Sequence, residues 1–395
     1  MFETLQTMPA DAILGLIAEH RDDPRPEKID LGVGVYRDAN GETPILSSVK
    51  QAEKRLLATP TSKSYLGTAG DPQFNARIQD LAFADSVDSQ RLVTIQTPGG
   101  SGSLRVAAGL LLRARDAVSV WVSQPTWANH VPLLGGAGLE LKPYPYYDTD
   151  RHVIDVDGML DALHTATAGD AVLLHACCHN PSGLDPTDDD WRAIIDVIVE
   201  RGLLPFIDMA YQGFERGVEE DALAVRLFAE KCPEMLVASS CSKNFALYRE
   251  RVGAISVVCA DSAKAGDVET VVHALTRKNY SMPPAHGTGI VDIILHSEEL
   301  TALWREEVTG MRNRINGLRS LLVEKMAAAG IERDFSFLER QSGMFSFMGL
   351  NVEQVQRLRD EFSIYTVNSA RVNIASFNDG NIDYFVEALK VVLEE

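Results

Sequence analysis

The chain has 395 residues, 45% hydrophobic and 24% charged, which is typical of a globular protein of two or three domains. It carries 37 lysines and arginines against 56 aspartates and glutamates, a net charge of −19 at pH 7. This charge argues against a nucleic acid or an anionic membrane as the main partner. Because no apolar run is long enough to span a membrane and the first residues lack a secretory signal, we expect a cytoplasmic protein.

The five cysteines, an odd number, lie in or beside apolar, strand-like runs, which is typical of buried, reduced thiols. Residues 175–179 (HACCH) have the residue types of a metal site. Adjacent residues of a strand point to opposite faces, however, and no second ligand pair follows at the spacing of a zinc finger. We therefore expect no metal.

Apolar runs and helical patterns alternate between residues 91 and 260. This alternation predicts crossover connections and a mostly parallel sheet covered on both faces, which is an α/β fold. The strand candidates are 92–96, 117–122, 139–144, 171–177, 203–207, 234–238 and 252–258. Helical patterns lie between them, for example at 104–114 and 191–201.

The two ends of the chain predict a second, smaller α+β domain. Residues 1–45 read as an N-terminal arm, one helix and part of this domain. Residues 311–395 begin with a long helical pattern and continue with short strand-like runs and a final helix. Residues 46–310 then form the large domain. Residues 31–36 (LGVGVY) place glycines in a strand-like run, which indicates a bulge or a close approach to a ligand but lacks the spacing of a dinucleotide fingerprint.

A glycine-rich stretch, residues 97–103 (TPGGSGS), follows the first strand candidate of the large domain and precedes a helix. Free N–H groups and the helix dipole make such a stretch a suitable cradle for a phosphate group. It lacks the Gly-Lys-Ser/Thr of a P-loop, so a nucleoside triphosphate is not implied. An ordinary strand-to-helix connection is the alternative interpretation.

Polar side chains also follow the ends of other strand candidates, where open α/β sheets bind their ligands. If these strands are parallel in one sheet, the following residues converge on one edge: Ser101, Asn180, Asp208, Tyr211, Ser240 and Lys243. Each alone has a simpler interpretation, such as a helix cap, a turn or a solvated lysine. Together, a phosphate cradle, an amine, a carboxylate and further donors suit pyridoxal 5'-phosphate, whose aldehyde binds a lysine and whose ring nitrogen binds an acid.

Four motifs carry a resemblance to a known family. Residues 178–183 (CHNPSG), 208–214 (DMAYQGF), 240–245 (SCSKNF) and 248–253 (YRERVG) closely resemble the aspartate and aromatic aminotransferases. These are class I pyridoxal phosphate enzymes of fold type I. The resemblance extends nearly end to end, from residues 9–16 to residues 369–373.

The resemblance implies roles for residues around the cofactor ring. Lys243 matches the lysine that binds the aldehyde and then moves a proton as general base and acid. Asp208 is expected to keep the ring nitrogen protonated, with His130 as its partner. Tyr211 and Asn180 are expected to donate hydrogen bonds to the phenolate oxygen of the ring.

The phosphate group and the ring face have further expected contacts. Gly100, Ser101, Ser240 and Arg251 match the phosphate cup of the family. Tyr65 is expected to reach the same phosphate from a second subunit. Trp127, which by itself is more simply a core tryptophan, resembles the residue that stacks on the ring and lies against the substrate.

Substrate contacts follow from the same resemblance. Arg371 matches the arginine that binds the α-carboxylate of the substrate. Arg277 matches the partner-subunit arginine that binds the distal carboxylate of a dicarboxylate, and Gly34 belongs to a segment that covers bound substrate. Tyr65 and Asn180 complete the expected substrate contacts. Because two of these residues serve the neighbouring site, the resemblance implies a homodimer.

Three departures from the dicarboxylate enzymes concern the same site. Met282 stands where asparagine is frequent, Ser101 where threonine is frequent, and Ser64 where asparagine is frequent. The changes reduce polarity or alter hydrogen bonds near the site, which favours entry of an aromatic ring. We predict an aminotransferase that moves the amino group of aspartate, tyrosine or phenylalanine to 2-oxoglutarate by a ping-pong mechanism.

Alternatives to this prediction stay open. A strict aspartate aminotransferase is the nearest, and a lyase or decarboxylase of the same fold is disfavoured because Arg371 and Arg277 are both present. A protein that binds the cofactor without turnover would need a catalytic position to be lost, and none is. A dinucleotide-dependent oxidoreductase lacks its glycine fingerprint.

Overall fold

The structure is a computed structural model that describes residues 1–7, 12–58 and 62–394. Residues 9–11, at the start of the stretch that resembles the aminotransferases, lie outside the described residues. The chain divides into two compact units, a smaller one formed by Met1–Thr43 with Arg314–Glu395 and a larger one formed by Pro44–Asn313. Within the described ranges, none of the helices has the length and apolar character needed to cross a membrane.

The strands of the described residues follow one another along the chain. They are β1 (Ile29–Asp30), β2 (Leu92–Pro98), β3 (Ser119–Gln124), β4 (Glu140–Pro145), β5 (Tyr147–Asp148), β6 (Val153–Ile154), β7 (Ala171–His175), β8 (Leu204–Met209), β9 (Met235–Ser240), β10 (Val252–Val258), β11 (Phe345–Phe347), β12 (Ile364–Tyr365) and β13 (Arg371–Asn373).

The α-helices are α1 (Ala12–Asp22), α2 (Ser47–Ala58), α3 (Pro72–Phe83), α4 (Gly99–Ala114), α5 (His130–Gly135), α6 (Val156–His164), α7 (Asp188–Arg201), α8 (Leu223–Lys231), α9 (Ser262–Asn279), α10 (His286–His296), α11 (Glu298–Ala328), α12 (Val352–Phe362) and α13 (Ile382–Leu393). Short 3-10 helices lie at Ser89–Arg91, Glu220–Ala222, Ser336–Arg340 and Ile374–Ser376.

A seven-stranded sheet with the order β2-β10-β9-β8-β7-β3-β4 forms the centre of the larger unit. The pairs from β9 through β4 are parallel, whereas β10 is antiparallel to both of its neighbours, β2 and β9. Two reversals restore the original direction, so β2 runs the same way as β9. The predicted α/β class with a mostly parallel sheet is confirmed.

The central strands are continuous apolar runs because both faces of the sheet are covered. All residues of β7, β9 and β10 are buried. Along β7, Val172 and Leu174 belong to one core cluster, and Leu173 belongs to a cluster on the opposite face. The first cluster takes in buried residues of α6, α7 and α8, and the second takes in those of α4 and α9. Side-chain alternation along a strand thus supplies both cores.

The glycine-rich stretch at residues 97–103 joins a strand to a helix as predicted, but the prediction that the helix begins only after this stretch is wrong. Strand β2 continues to Pro98, and α4 begins at the next residue, Gly99. Gly99 has a φ of 72°, a left-handed conformation that glycine adopts without steric cost, so one residue turns the chain from strand to helix. Glycine is unfavourable inside a helix, and the sequence therefore predicted that the helix begins at Leu104, after the glycines.

The smaller unit contains two short ladders. Strand β1 pairs with β12 in parallel, and β11 pairs with β13 in antiparallel fashion. Arg371 on β13 lies opposite Phe347 on β11. The strand-like runs predicted at 344–348 and 371–375 therefore form a ladder, although each strand has only three residues.

Candidate active site

The direction of the strands brings the predicted residues to one edge of the large sheet. Strands β2, β7, β8 and β9 all end at this edge, and the antiparallel β10 begins there. In the register of β10, Val252 lies opposite Pro98 and Gly253 lies opposite Ser240. Arg251, the residue before β10, is thereby placed beside the start of α4 and the end of β9. The sequence prediction of a common edge holds for these elements.

The start of α4 has the form of an anion cradle. A Cβ atom built on Gly99 would lie 2.5 Å from Nη2 of Arg251, and one built on Gly100 would lie 3.2 Å from Cβ of Ser240. The residue before the helix, Pro98, provides no side-chain cap for the first turn. The site combines groups that bind phosphate well: a close-packed glycine backbone, a guanidinium, a hydroxyl and a helix N-terminus.

Hydrogen bonds fix the side chains around this cradle. Arg251 donates from Nη1 to the carbonyl of Tyr248 at 3.1 Å and to Oγ of Ser242 at 3.4 Å. Ser240 donates to the same Ser242 hydroxyl at 3.0 Å. Arg251 has a φ of 56°, so its backbone is held in a left-handed conformation that non-glycine residues seldom adopt. Ser101, half-buried, follows in the first turn of α4.

Lys243, Tyr211 and Asn180 come together at the neighbouring strand ends. The Nζ atom of Lys243 lies 4.9 Å from the centroid of the Tyr211 ring. The side-chain amide of Asn180 donates to the Tyr211 hydroxyl at 3.5 Å. Asn180 and Tyr211 are buried, whereas Lys243 is half-buried. An amine is thus placed next to two polar groups that can orient a ligand oxygen.

The loop that carries Lys243 is anchored by an aromatic contact that sequence reasoning missed. Phe245 stacks on Trp304 with ring centroids 4.4 Å apart and planes 7° apart. The indole N–H of Trp304 donates to the carbonyl of Asn244 at 2.8 Å, and both rings are fully buried. Trp304 lies on α11, about sixty residues along the chain, and no local pattern indicates the pairing.

Asp208 is buried at the end of β8 and pairs with His130. Nε2 of His130 lies 3.0 Å from Oδ2 of Asp208. Burial by itself raises the pKa of Asp208, but the hydrogen bond from His130 and the electrostatic interactions with His130, His175 and Lys243 outweigh it and hold the pKa below its ordinary value. The carboxylate is therefore ionised at neutral pH, and because His130 occupies Oδ2, Oδ1 can receive a ligand N–H.

A short chain of hydrogen bonds sets the tautomer of His130. Burial and the neighbouring His130 lower the pKa of His175 to about 3, so its imidazole is neutral. Its Nδ1 accepts the backbone N–H of Asn180 at 3.4 Å, which leaves the proton on Nε2, 3.3 Å from Oγ1 of Thr126. Thr126 can then donate to Nδ1 of His130 at 2.8 Å, so His130 presents Nε2–H to Asp208. Sequence reasoning gave no role to Thr126 or His175.

Trp127 lies next to this chain and is half-buried. Its ring meets that of His130 edge-on, with centroids 5.2 Å apart and an interplanar angle of 86°. The contact fixes one edge of the indole against the histidine that supports Asp208.

Arg371 and Gly34 lie in the smaller unit, where a buried guanidinium is held in place. The Arg371 guanidinium carbon lies 4.1 Å from the centroid of the Phe345 ring, and Nη2 donates to the carbonyl of Gly32 at 2.6 Å. The side-chain amide of Asn373 donates to two carbonyls of the same glycine segment, both at 2.7 Å. A Cβ built on Gly34 would lie 3.3 Å from Cζ of Phe345. A planar cation fixed in this way suits a carboxylate ligand.

Tyr65 and Arg277 lie at the surface of the single chain. The Tyr65 side chain is 87% exposed. Arg277 is exposed in the last turn of α9, and its guanidinium donates to the Ser281 hydroxyl. Met282 follows and is half-buried. Exposure of both residues is compatible with the prediction that they serve a second subunit, which stays a prediction.

All five cysteines are buried and unpaired, as the sequence predicted. Burial raises the pKa of the Cys232 and Cys259 thiols to about 11. Across the part of the chain that the structure describes, no group of three or more His, Cys, Asp or Glu side chains has the geometry to hold a metal ion.

Comparison with known proteins decides the family. The sequence profile of the family "Aminotransferase class I and II" matches residues 26–389. The chain belongs to the class I and II aminotransferases. The predicted family and its fold type are therefore confirmed, and the family favours amino transfer over the lyase or decarboxylase alternative.

The individual relatives include enzymes named for different substrates. The chain is 49% identical to the aspartate aminotransferase of Escherichia coli K12, with 100% of both chains covered. It is also 49% identical to the aromatic-amino-acid aminotransferase of Pseudomonas aeruginosa, with 99% of this chain and 98% of the relative covered. A solved aromatic-amino-acid aminotransferase from Burkholderia pseudomallei, covalently bound to pyridoxal phosphate, superposes with a TM-score of 0.97 at 43% identity, covering 100% of this chain and 99% of that one.

Proposed function

We propose that this aminotransferase uses pyridoxal phosphate to move the amino group of aspartate or of an aromatic amino acid to 2-oxoglutarate in a ping-pong cycle. The main support for this proposal is that a lysine amine, an ionised buried carboxylate and an anion cradle lie at one edge of the large sheet. These groups fit the amine-binding, ring-binding and phosphate-binding requirements of the cofactor.

When bound, the cofactor supplies an aldehyde for the amino group and a ring that withdraws electrons from the substrate α-carbon. In our proposal, Oδ1 of Asp208 keeps a proton on the ring nitrogen, while His130 supports Oδ2. Nζ of Lys243 would take the proton from the α-carbon of the amino acid and pass it to the cofactor carbon that keeps the amino group, and it would move a proton in the reverse direction when 2-oxoglutarate is the substrate. Tyr211 and Asn180 hydrogen-bond the ring oxygen and so fix the orientation of the ring.

The remaining contacts are assigned in the same proposal. Gly100, Ser101, Ser240 and Arg251 form the phosphate cradle, and Trp127 covers the ring. In the smaller unit, Arg371 binds the α-carboxylate of the substrate. The fixed position of its guanidinium above Phe345 supports this assignment.

We also propose a homodimer located in the cytoplasm, with the two compact units acting as the large and small domains expected from the sequence. Tyr65 of one subunit would contact the phosphate in the partner's site, and Arg277 would bind the distal carboxylate of a dicarboxylate there. Gly34 lies in the segment that we expect to cover the substrate.

Dual specificity for aspartate and aromatic substrates is the proposed substrate range. Met282, half-buried five residues after Arg277, gives an apolar surface next to the proposed distal-carboxylate site. Ser101 and Ser64 replace larger polar side chains that the dicarboxylate enzymes often carry. Relatives at equal identity are named for aspartate and for aromatic amino acids, so strict aspartate use is the competing proposal.

The Arg277→Leu substitution tests this assignment. We expect kcat/KM for aspartate to fall about a hundredfold or more, because a buried carboxylate loses its charged partner. The value for phenylalanine should change less than about tenfold, since its ring needs no cation. Steady-state assays with 2-oxoglutarate as the amino acceptor measure both values.

Lys278→Leu is the matched control, because it removes the adjacent exposed cation from the same helix end. It should leave both values near those of the parent enzyme. Equal losses for aspartate and phenylalanine in Arg277→Leu would remove Arg277 from the specificity role. Absence of amino transfer from both amino acids by the parent enzyme would contradict the proposed function itself.

A further inference from the structure

Gln96 is a fully buried amide on β2, three residues before Gly99. Its Oε1 accepts the backbone N–H of Asp71 at 2.9 Å, and its Nε2 donates to the carbonyl of Pro284 at 2.7 Å. Its own backbone N–H donates to the carbonyl of Ala69 at 3.1 Å. One residue of the central sheet therefore binds two segments that are distant in sequence.

The chemistry of the partners fixes the orientation of this amide. The backbone N–H of Asp71 can only donate and the carbonyl of Pro284 can only accept, so Gln96 must present oxygen to one and nitrogen to the other. A Cβ built on Gly70 would lie 2.3 Å from Oε1, and Gly70 has a φ of 75°. The backbone thus approaches the amide more closely than any other residue type allows.

The first bound segment, residues 62–71, carries Tyr65. Because the Tyr65 side chain is 87% exposed, the position of this residue depends on how the following residues are held. Besides the contacts with Gln96, the Ala69 carbonyl accepts from Asn75 at 3.0 Å. The hydroxyl of Thr68 lies 2.5 Å from Nδ1 of His273 on α9. All of these contacts lie within the larger unit.

The second bound segment, residues 280–284, directly follows α9 and supports Arg277. The guanidinium of Arg277 donates to the Ser281 hydroxyl, and Ser281 has a φ of 68°. The backbone N–H of Ser281 donates to the carbonyl of Thr276 at 3.1 Å. The backbone N–H of Met282 donates to the carbonyl of Tyr280 at 2.8 Å, and the segment then reaches the Pro284 carbonyl, which accepts from Gln96. A shift at Pro284 would therefore be transmitted to the hydroxyl that orients Arg277.

We propose that Gln96 is a positioning residue that sets both the Tyr65 segment and the Arg277 segment, and so controls cofactor retention and selection of dicarboxylate substrates. This inference rests on the roles that the proposed function gives to Tyr65 and Arg277. Gln96 itself touches neither substrate nor cofactor. It acts by placing two segments that we expect to reach a neighbouring site.

Two substitutions with side chains of similar size distinguish the effect of the Asp71 bond from that of the Pro284 bond. Gln96→Glu is assayed at alkaline pH, because burial raises the pKa of a carboxyl and a protonated side chain could still donate to Pro284. Once ionised, the side chain accepts the bond from Asp71 but has no donor for Pro284, so only the second bond is lost. Gln96→Met removes both bonds. Thr94→Val is the matched control on the same strand, because Thr94 is buried and pairs across the ladder with Ser256 at 2.8 Å.

We expect the ratio of kcat/KM for aspartate to that for phenylalanine to fall about tenfold in Gln96→Met and, at alkaline pH, in Gln96→Glu, the loss expected for one buried hydrogen bond. In Gln96→Met alone, the dissociation constant of pyridoxal phosphate from the apoenzyme should also rise about tenfold, and the Asp71 amide should exchange hydrogen faster. Fluorescence titration and hydrogen exchange measure these two effects. Thr94→Val should leave all three quantities unchanged.

A merely structural role for Gln96 would lower both kcat/KM values by the same factor, and that result would overturn the proposal. Arg277→Leu is measured beside these variants. If it changes the ratio and the Gln96 variants do not, the inference about Gln96 is wrong. If it leaves the ratio unchanged, the proposed role of Arg277 is wrong instead.

If the variants do not fold, hydrogen exchange in the parent enzyme still tests whether Gln96 holds the backbone of Asp71 in place. The Asp71 amide should then exchange as slowly as the amides of β2, and exchange at the rate of an open loop would overturn the proposal.

Discussion

In the Lys243→Ala variant, amino transfer from aspartate to 2-oxoglutarate is expected to fall at least about a thousandfold while the protein stays folded. The loss follows because the amine over the Tyr211 ring is the group that we propose to move the substrate proton. Steady-state assays measure the activity, and thermal unfolding followed by circular dichroism measures the fold.

The fold should tolerate this change because other residues anchor the loop. Phe245 stacks on Trp304, and the Trp304 indole holds the carbonyl of Asn244. The half-buried lysine adds little to this packing. Lys278→Ala, at an exposed position on α9, is the control for removal of a lysine and should keep full activity. Turnover of Lys243→Ala within tenfold of the parent enzyme would contradict its role.

The Asp208→Asn substitution should have the second largest effect, a loss of about a thousandfold in kcat. The amide keeps the size of the side chain and can still accept the N–H of His130. It lacks the negative charge that the depressed pKa of Asp208 secures at neutral pH, so a proton on a ring nitrogen is no longer stabilised.

Asp208→Glu provides the comparison, since it keeps the charge but moves it by one methylene. Its activity should lie between those of the parent enzyme and Asp208→Asn. Because the folded-state pKa is depressed, Asp208 contributes stability above its unfolded pKa, and this contribution is lost as the pH falls. The parent enzyme and Asp208→Asn should therefore differ less in stability in acid than at neutral pH. Equal activity of Asp208→Asn and the parent enzyme would exclude a charge role for Asp208.

The sheet could be predicted from the sequence because its strands are buried on both faces and read as continuous apolar runs. Strand β10 was placed correctly at both ends, at Val252 and Val258. Its antiparallel direction could not be read from the same run, since an apolar strand has no signal for the direction of its neighbours. That reversal is what brings Arg251 to the edge where the parallel strands end.

The polar residues at the strand ends were predictable because a shared edge needs only strand order and direction. The residues that hold these side chains and their segments in place could not be predicted. Trp304 contacts Asn244 from α11, and Gln96 binds Pro284 from a position 188 residues earlier. Such contacts depend on packing between distant elements, for which one sequence gives no periodic signal. Arg371 and Arg277 were identified through the family resemblance, since either alone has the pattern of a surface charge.

The most direct test of the proposed function is a single-turnover reaction of the purified, cofactor-loaded enzyme without an oxo acid. Aspartate and phenylalanine are mixed with the enzyme separately, and the visible absorbance of the cofactor is followed. We predict that both amino acids remove this absorbance at comparable rates and that 2-oxoglutarate restores it. A fast reaction with aspartate alone would make the enzyme a strict aspartate aminotransferase, and no absorbance change with either amino acid would contradict the proposed function.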